Sequence, residues 1–211
     1  MSDPKASASA SVTHNPYRFL PYSALIVGAS SRFSHALAIS VALLTVFALS
    51  SLILVAASPL LPQLGRRFVP VFIASLVASS FQALFSLYSP ILALELAFFV
   101  GLVPVAFVAS TAMGGAASPG SAVLASQREA LPVAALLAIF SLVREVFGYG
   151  CITLPLRSGA LVVIGSDASS GLAARVLVSA AGGFMFFGYV MAALRRSRSR
   201  FPDYPAQGRD A

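Results

Sequence analysis

Long apolar runs, separated by short polar links rich in proline, glycine and arginine, divide the chain into six segments. The longest, Ala36–Ser58, has 23 residues and ends at Pro59 and Pro62. A helix needs about 20 apolar residues to cross about 30 Å of hydrocarbon, so this run predicts a membrane-spanning helix. Phe68–Tyr88 predicts another. Its Pro70 sits in the first turn, where a missing N–H is harmless, and Ser89-Pro90 stops it. Ile91–Met113, Leu131–Phe147 and Val176–Leu194 are further spans by the same criterion. The first segment, Asn15–Ser31, is different: its apolar part, Phe19–Ala29, is too short to span as a regular helix. Arg32–His35 reads as a polar link.

Two segments are interrupted. Pro16 and Pro21 break the first, and Gly101 and Pro104 fall near the middle of the fourth. Proline removes one helical hydrogen bond and crowds the carbonyl four residues earlier. In hydrocarbon the freed carbonyl must be sheltered by protein or a polar cavity. The exits rhyme, Val27-Gly-Ala-Ser30 against Val108-Ala-Ser-Thr111. Paired interrupted segments, one in each half, are the mark of an inverted repeat. The fold expected is an all-α membrane protein, with six transmembrane segments arranged as two inverted three-helix repeats and the first and fourth helices broken. Gly114–Glu129 reads as a loop, and Ile152–Asp167 as an interfacial hairpin or extended link. Residues 1–14 are expected to form a disordered tail, 15–195 one membrane domain, and 196–211 a basic tail.

Composition agrees with this pattern. Of 211 residues, 58% are apolar and 10% charged, against about 25% charged in soluble domains. The net charge of +7 raises nucleic-acid binding, but five of the fourteen basic residues lie in Arg195–Arg209, directly after an apolar run. That placement is a topology signal beside anionic lipid. With the amino end inside, Lys5, Arg18, Arg66, Arg67, Arg128 and the five carboxy-terminal arginines are cytoplasmic. Arg32, Arg157 and Arg175 lie outside. Both termini are therefore expected on the cytoplasmic side of a bacterial inner membrane. The single cysteine, Cys151, excludes an internal disulfide and any all-cysteine metal cage.

Three ionisable residues fall within spans: Glu95, Arg144 and Glu145. Each costs roughly 2.5–3.5 kcal/mol or more at the bilayer centre, so each needs a partner or water. Arg144 and Glu145 are sequence neighbours and point to different sides of their helix. At 1.5 Å per residue, Glu95 and Arg144 come to similar depths, and they are expected to pair; Glu145 is a further candidate. Ser23, Ser30, Ser110 and Thr111 on the interrupted segments suit bonds to helix carbonyls or across helices. His14 and His35 fall in polar links with no ligand constellation around them. Phe184, Phe186 and Phe187 read as packing or lipid-facing residues. No phosphate loop, catalytic triad or metal-spaced His/Cys cluster occurs, which leaves hydrolytic and nucleotide chemistry unsupported.

Four stretches, in order and spacing, resemble the six-helix Rnf/Nqr membrane-subunit family, in particular its E-type Rnf (D-type Nqr) member. They are Asn15-Pro16 leading into a short broken segment; Phe68-Val-Pro-Val-Phe-Ile-Ala-Ser-Leu-Val77 with Tyr88-Ser-Pro90; Val103-Pro-Val105 with Ala109-Ser-Thr-Ala-Met-Gly114; and Leu142-Val-Arg-Glu-Val-Phe-Gly148 with Gly150. The resemblance covers Asn15–Leu156 in register, and the sixth span matches in kind. It implies a subunit of an ion-translocating electron-transport complex, partnered by other membrane subunits that include a paired homologous six-helix subunit.

The family resemblance also implies a [2Fe–2S] cluster shared by two paired subunits through one cysteine on each broken helix. Those positions are Ala24 here (Ser23 with a shift of one) and Ser110. Thiolates are the usual ligands, so this chain is not expected to hold the cluster or any other metal, and its role would be that of a scaffold or ion-path subunit. No catalytic residue is assigned. The alternative, a vitamin-binding membrane component of a small-molecule importer, also has about six spans in about 200 residues, and it would open a ligand pocket near Glu95 and Arg144.

Overall fold

The computed structural model describes residues 22–58, 68–110, 118–156, 159–164 and 179–199. In chain order the elements are α1 (Ser23–Ala29), α2 (Phe33–Ala57), α3 (Val69–Tyr88), α4 (Pro90–Ala109), α5 (Pro119–Tyr149), β1 (Ile152–Leu156), β2 (Gly159–Ile164) and α6 (Ala180–Ser199). By length and composition, α2, α3, α4 and α5 can each cross a membrane, whereas α6 has only the shorter apolar stretch Ala180–Ala193. At seven residues, α1 is about 10 Å long and cannot. The chain is thus a multi-pass membrane protein with four full-length spans among its described residues, fewer than the six segments expected. The expected tail 1–14 lies outside those residues, as do 200–211 of the expected tail 196–211, the start of the sixth segment and Thr111, whereas 196–199 continue α6.

At the centre, α2 and α5 run antiparallel. Ser40 Oγ donates to the Ala134 carbonyl at 3.4 Å, Gln127 Nε2 to the Leu44 carbonyl at 2.9 Å, and Ser51 and Ser126 share a hydroxyl contact at 3.1 Å. Rising numbers on α2 thus meet falling numbers on α5. Small buried residues such as Ala36, Ala42, Ala130 and Ala134 line the contact. Between membrane helices close approach and interhelical hydrogen bonds replace hydrophobic drive. Ser126→Ala should therefore cost only about 0.6 kcal/mol, read as a small fall in the thermal midpoint of the detergent-extracted protein. Phe47 meets Phe107 of α4 edge-on with ring centroids 5.1 Å apart, and this brings α4 onto the same core.

A tight hairpin at Ser89 joins α3 to α4, with Pro90 at the first helical position. Gln82 Nε2 clamps the hairpin by donating to the Ala93 carbonyl at 2.5 Å. Helical structure in α4 continues through Gly101 and Pro104 to Ala109. The interruption expected at Gly101 and Pro104 is absorbed inside a continuous helix, with Pro104 buried, and the helix ends instead at Ser110.

The expected loop Gly114–Glu129 is corrected too, because α5 starts at Pro119. Ser118 and Ser121 form a reciprocal capping box, and Pro119 follows the cap. Ser126 and Gln127 then bond across to α2, so packing outweighs the Gly/Ala/Ser/Pro composition. Pro132, read as a helix start, lies inside the helix. At its other end α5 closes on Gly150, whose φ of 67° is the left-handed cap glycine tolerates best. The expected hairpin follows: β1 and β2 pair antiparallel, with an irregularity between Ile152 and Thr153.

Candidate functional site

The beginnings of α2, α4 and α6 and the ends of α1 and α5 meet at the hairpin end of the bundle. Arg144 and Glu145 lie there, within the last two turns of α5, only 2% and 0% exposed. Arg144 Nη1 donates to the Val27 carbonyl at 2.9 Å and to Ser30 Oγ at 2.7 Å, and Nη2 donates to the Ser179 carbonyl at 3.4 Å. Ser30 Oγ itself donates to the Val27 carbonyl at 3.0 Å. The last carbonyls of a helix lack intrahelical donors and carry partial negative charge, so the guanidinium caps the carboxyl end of α1.

Glu145 does the reverse for the next helix. Its Oε2 accepts the Phe33 N–H at 2.7 Å, the first amide of α2, whose N-cap Arg32 supplies no side-chain acceptor. A carboxylate at a helix amino end meets both an orphan donor and the positive pole of the dipole. Two adjacent residues of opposite charge therefore clamp the two sides of the α1–α2 turn without neutralising each other directly. Around them, Ser34 N–H reaches Thr153 Oγ1 at 3.5 Å, and that hydroxyl donates to Ser34 Oγ at 3.3 Å, which pins β1 to α2. Gly183 gives the guanidinium its room: a Cβ there would lie 3.0 Å from Val27 Cγ1 and 3.3 Å from Arg144 Cζ.

Glu95 does not pair with Arg144. Its Oε2 lies 3.0 Å from His35 Nε2, with Glu95 half-exposed and His35 largely covered, and Ser31 Oγ meets the other ring nitrogen at 3.1 Å. The expected pair is thus replaced by two arrangements, because the end of α1 offers Arg144 oxygens that equal depth along two helices cannot reveal. His35, read as lying in an inert link, stands in the first turn of α2 and is the side-chain partner of Glu95. Sequence reasoning also passed over Thr153. Spacing alone offered a sign for His35, which follows Ser31 by four residues and so becomes its neighbour once the link turns helical.

The cluster positions offer little. Ala24 is exposed on α1 and presents a methyl group. Ser110 is buried, and its hydroxyl donates back to the Phe107 carbonyl at 2.6 Å. Among the described residues no group of three or more His, Cys, Asp or Glu side chains could hold a metal ion. Cys151 is buried just past the α5 cap, on a different element from either position. This donor set does not fit a [2Fe–2S] cluster.

Residues 10–191 match a family model described as "Rnf-Nqr subunit, membrane protein". None of the curated proteins matches the sequence.

Proposed function

The chain belongs to the Rnf-Nqr subunit family of membrane proteins, and from this premise we propose that it is a diverged subunit of an Rnf-like complex that no longer carries electrons. Membership makes it an integral membrane subunit of an electron-transport, ion-translocating complex, working beside other membrane subunits. The observation that carries the proposal is the chemistry at Ala24 and Ser110: a methyl group and a hydroxyl turned onto its own helix stand where the family places thiolates. The retained role is that of a scaffold and ion-path component beside a paired homologous subunit.

An inverted repeat is part of this reading. The central α2–α5 pair joins the second segment of each half. Beside it α3 packs on α4 as α6 packs on α1, and α2 packs on α4 as α5 packs on α1. Exchanging the halves maps these contacts onto one another, although among the described residues α2 packs far more closely on α3 than α5 does on α6. The first segment then contributes α1, only seven residues long, and the fourth contributes α4, continuous as far as Ala109. The arginine distribution supports both termini on the cytoplasmic side of a bacterial inner membrane.

Affinity purification from the native membrane tests the assignment. The chain should bring down flavin- and iron–sulfur-bearing subunits, and its deletion should abolish ferredoxin- or NAD-linked electron transfer. A chain that isolates alone, with that activity intact after deletion, overturns it.

A further inference from the structure

His35, in the first turn of α2, has both ring nitrogens engaged. Nδ1 meets Ser31 Oγ at 3.1 Å, and Nε2 lies 3.0 Å from Glu95 Oε2. The ring is largely covered, whereas half-exposed Glu95 opens the pair to the surroundings. The two partners differ in what they offer. An ionised carboxylate is acceptor-only, so the hydrogen between Nε2 and Glu95 belongs to the ring nitrogen. Nδ1 is then the position that gains or loses a proton. A serine hydroxyl both donates and accepts, and it rotates to suit. Facing bare Nδ1 it donates; facing Nδ1–H it accepts. Each charge state of the ring therefore keeps both nitrogens satisfied, with no movement of the backbone.

We propose that His35 is an exchangeable proton site: Nδ1 takes up a proton at the hairpin end of the bundle, Ser31 reverses its hydrogen bond to follow, and Glu95 is the counter-charge. Uptake forms the Nδ1–H bond and gives the imidazole one positive charge. Release from the same nitrogen returns the proton and the neutral ring. The charges acting on the ring are Glu95 on α4, Arg32 at the N-cap of α2 and Glu145 on α5. Among the described residues, this end also carries Tyr88 at the end of α3, Arg144 and Tyr149 in the last turns of α5, Tyr22 ahead of α1 and Cys151 ahead of β1. Within α1 and β1 there is no titratable group. The Arg144 guanidinium is turned toward α1 and Ser179. Proton binding makes the Nε2–Glu95 contact one between opposite full charges, and so tightens the link between α2 and α4. The further step, that this proton belongs to the ion path, rests on the proposed function above.

The chain has two histidines, His14 and His35, so NMR of the ring nitrogens reads the site directly. The sample is the full chain in lipid nanodiscs with labelled histidine, and the His14→Gln variant isolates the signal. The expected result is the Nε2–H tautomer at the alkaline end and conversion to the doubly protonated ring as the pH falls from about 8 to about 5. Glu95→Gln should lower the midpoint by about 1–3 units, the usual effect of removing an opposite charge at this range. Ser31→Ala leaves Nε2 beside Glu95 and should lower the midpoint as well, because an unpaired charged donor costs more than an unpaired neutral acceptor. A ring that keeps one charge state across that range overturns the proposal. So does the Nδ1–H tautomer at the alkaline end, or a midpoint that Glu95→Gln leaves unmoved. In proteoliposomes of the assembled complex, His35→Gln should lower proton uptake by about 100-fold, the low end of what a positioned proton-transfer side chain contributes. Unchanged uptake with the NMR transition present refutes the path role alone. A chain that isolates without partners overturns the proposed function, and the ring titration still decides the proton site.

Discussion

Arg144→Ala is expected to destabilise the protein by about 1–3 kcal/mol, the cost of leaving buried acceptors without a donor. The substitution takes the donor from the Val27 carbonyl and from Ser30 Oγ together, inside a region where water cannot replace it. Arg144→Lys should recover part of the loss. An ammonium keeps the charge but lacks the planar fork that reaches two oxygens of α1 and Ser179 at once. Chemical or thermal denaturation in detergent reads both values. Limited proteolysis should also show earlier cleavage near Arg32, because the α1–α2 turn loses one of its two clamps. An alanine variant within about 1 kcal/mol of the parent, the range of an exposed ion pair, would mean that the guanidinium does not hold α1.

Gly183→Leu should be comparably damaging, at about 1–3 kcal/mol. Leucine suits a helix better than glycine does, so any loss must come from the contact and not from the backbone. The first added carbon would already press on Val27 and on the guanidinium. The decisive measurement is the double variant with Arg144→Ala. In that background the site has been emptied, and the leucine should cost far less than it does alone. A coupling between the two substitutions below about 0.5 kcal/mol, the level expected of independent sites, would refute the packing account.

The membrane character and the long helices were legible because composition and run length carry them. Ala36–Ser58 predicted all but the first turn of α2. The missing turn, Phe33 to His35, was taken into the polar link with Arg32, yet Ser34 is buried against Thr153 of β1 and His35 is held by Ser31 and Glu95. Depth arithmetic brought Glu95 and Arg144 together by assuming that a buried charge seeks an opposite side-chain charge. Besides Ser30 Oγ, Arg144 and Glu145 met backbone groups at two helix ends, and partners of that kind leave no letter in a sequence. The start of α5 was legible in principle: Ser118, Pro119 and Ser121 spell a capping box with proline at the first position. The small-residue composition around them suggested a loop because its use, close packing on Ser51 and Leu44, depends on a helix 75 or more positions away. The departures at Ala24 and Ser110 needed no structure, since an absent thiolate is visible in the letters themselves.

The 31 residues of α5 amount to about 46 Å, against a hydrocarbon layer of about 30 Å. Leaning alone would need a tilt of nearly 50°, beyond the roughly 0–40° that membrane helices adopt. The helix must therefore stand proud of the bilayer, and the polar turn Gln127-Arg128-Glu129 marks the end that does. The same helix is bonded to α2 from Ser126 to Ala134, so its emerging end and the end that holds the α1–α2 turn belong to one packed helix pair.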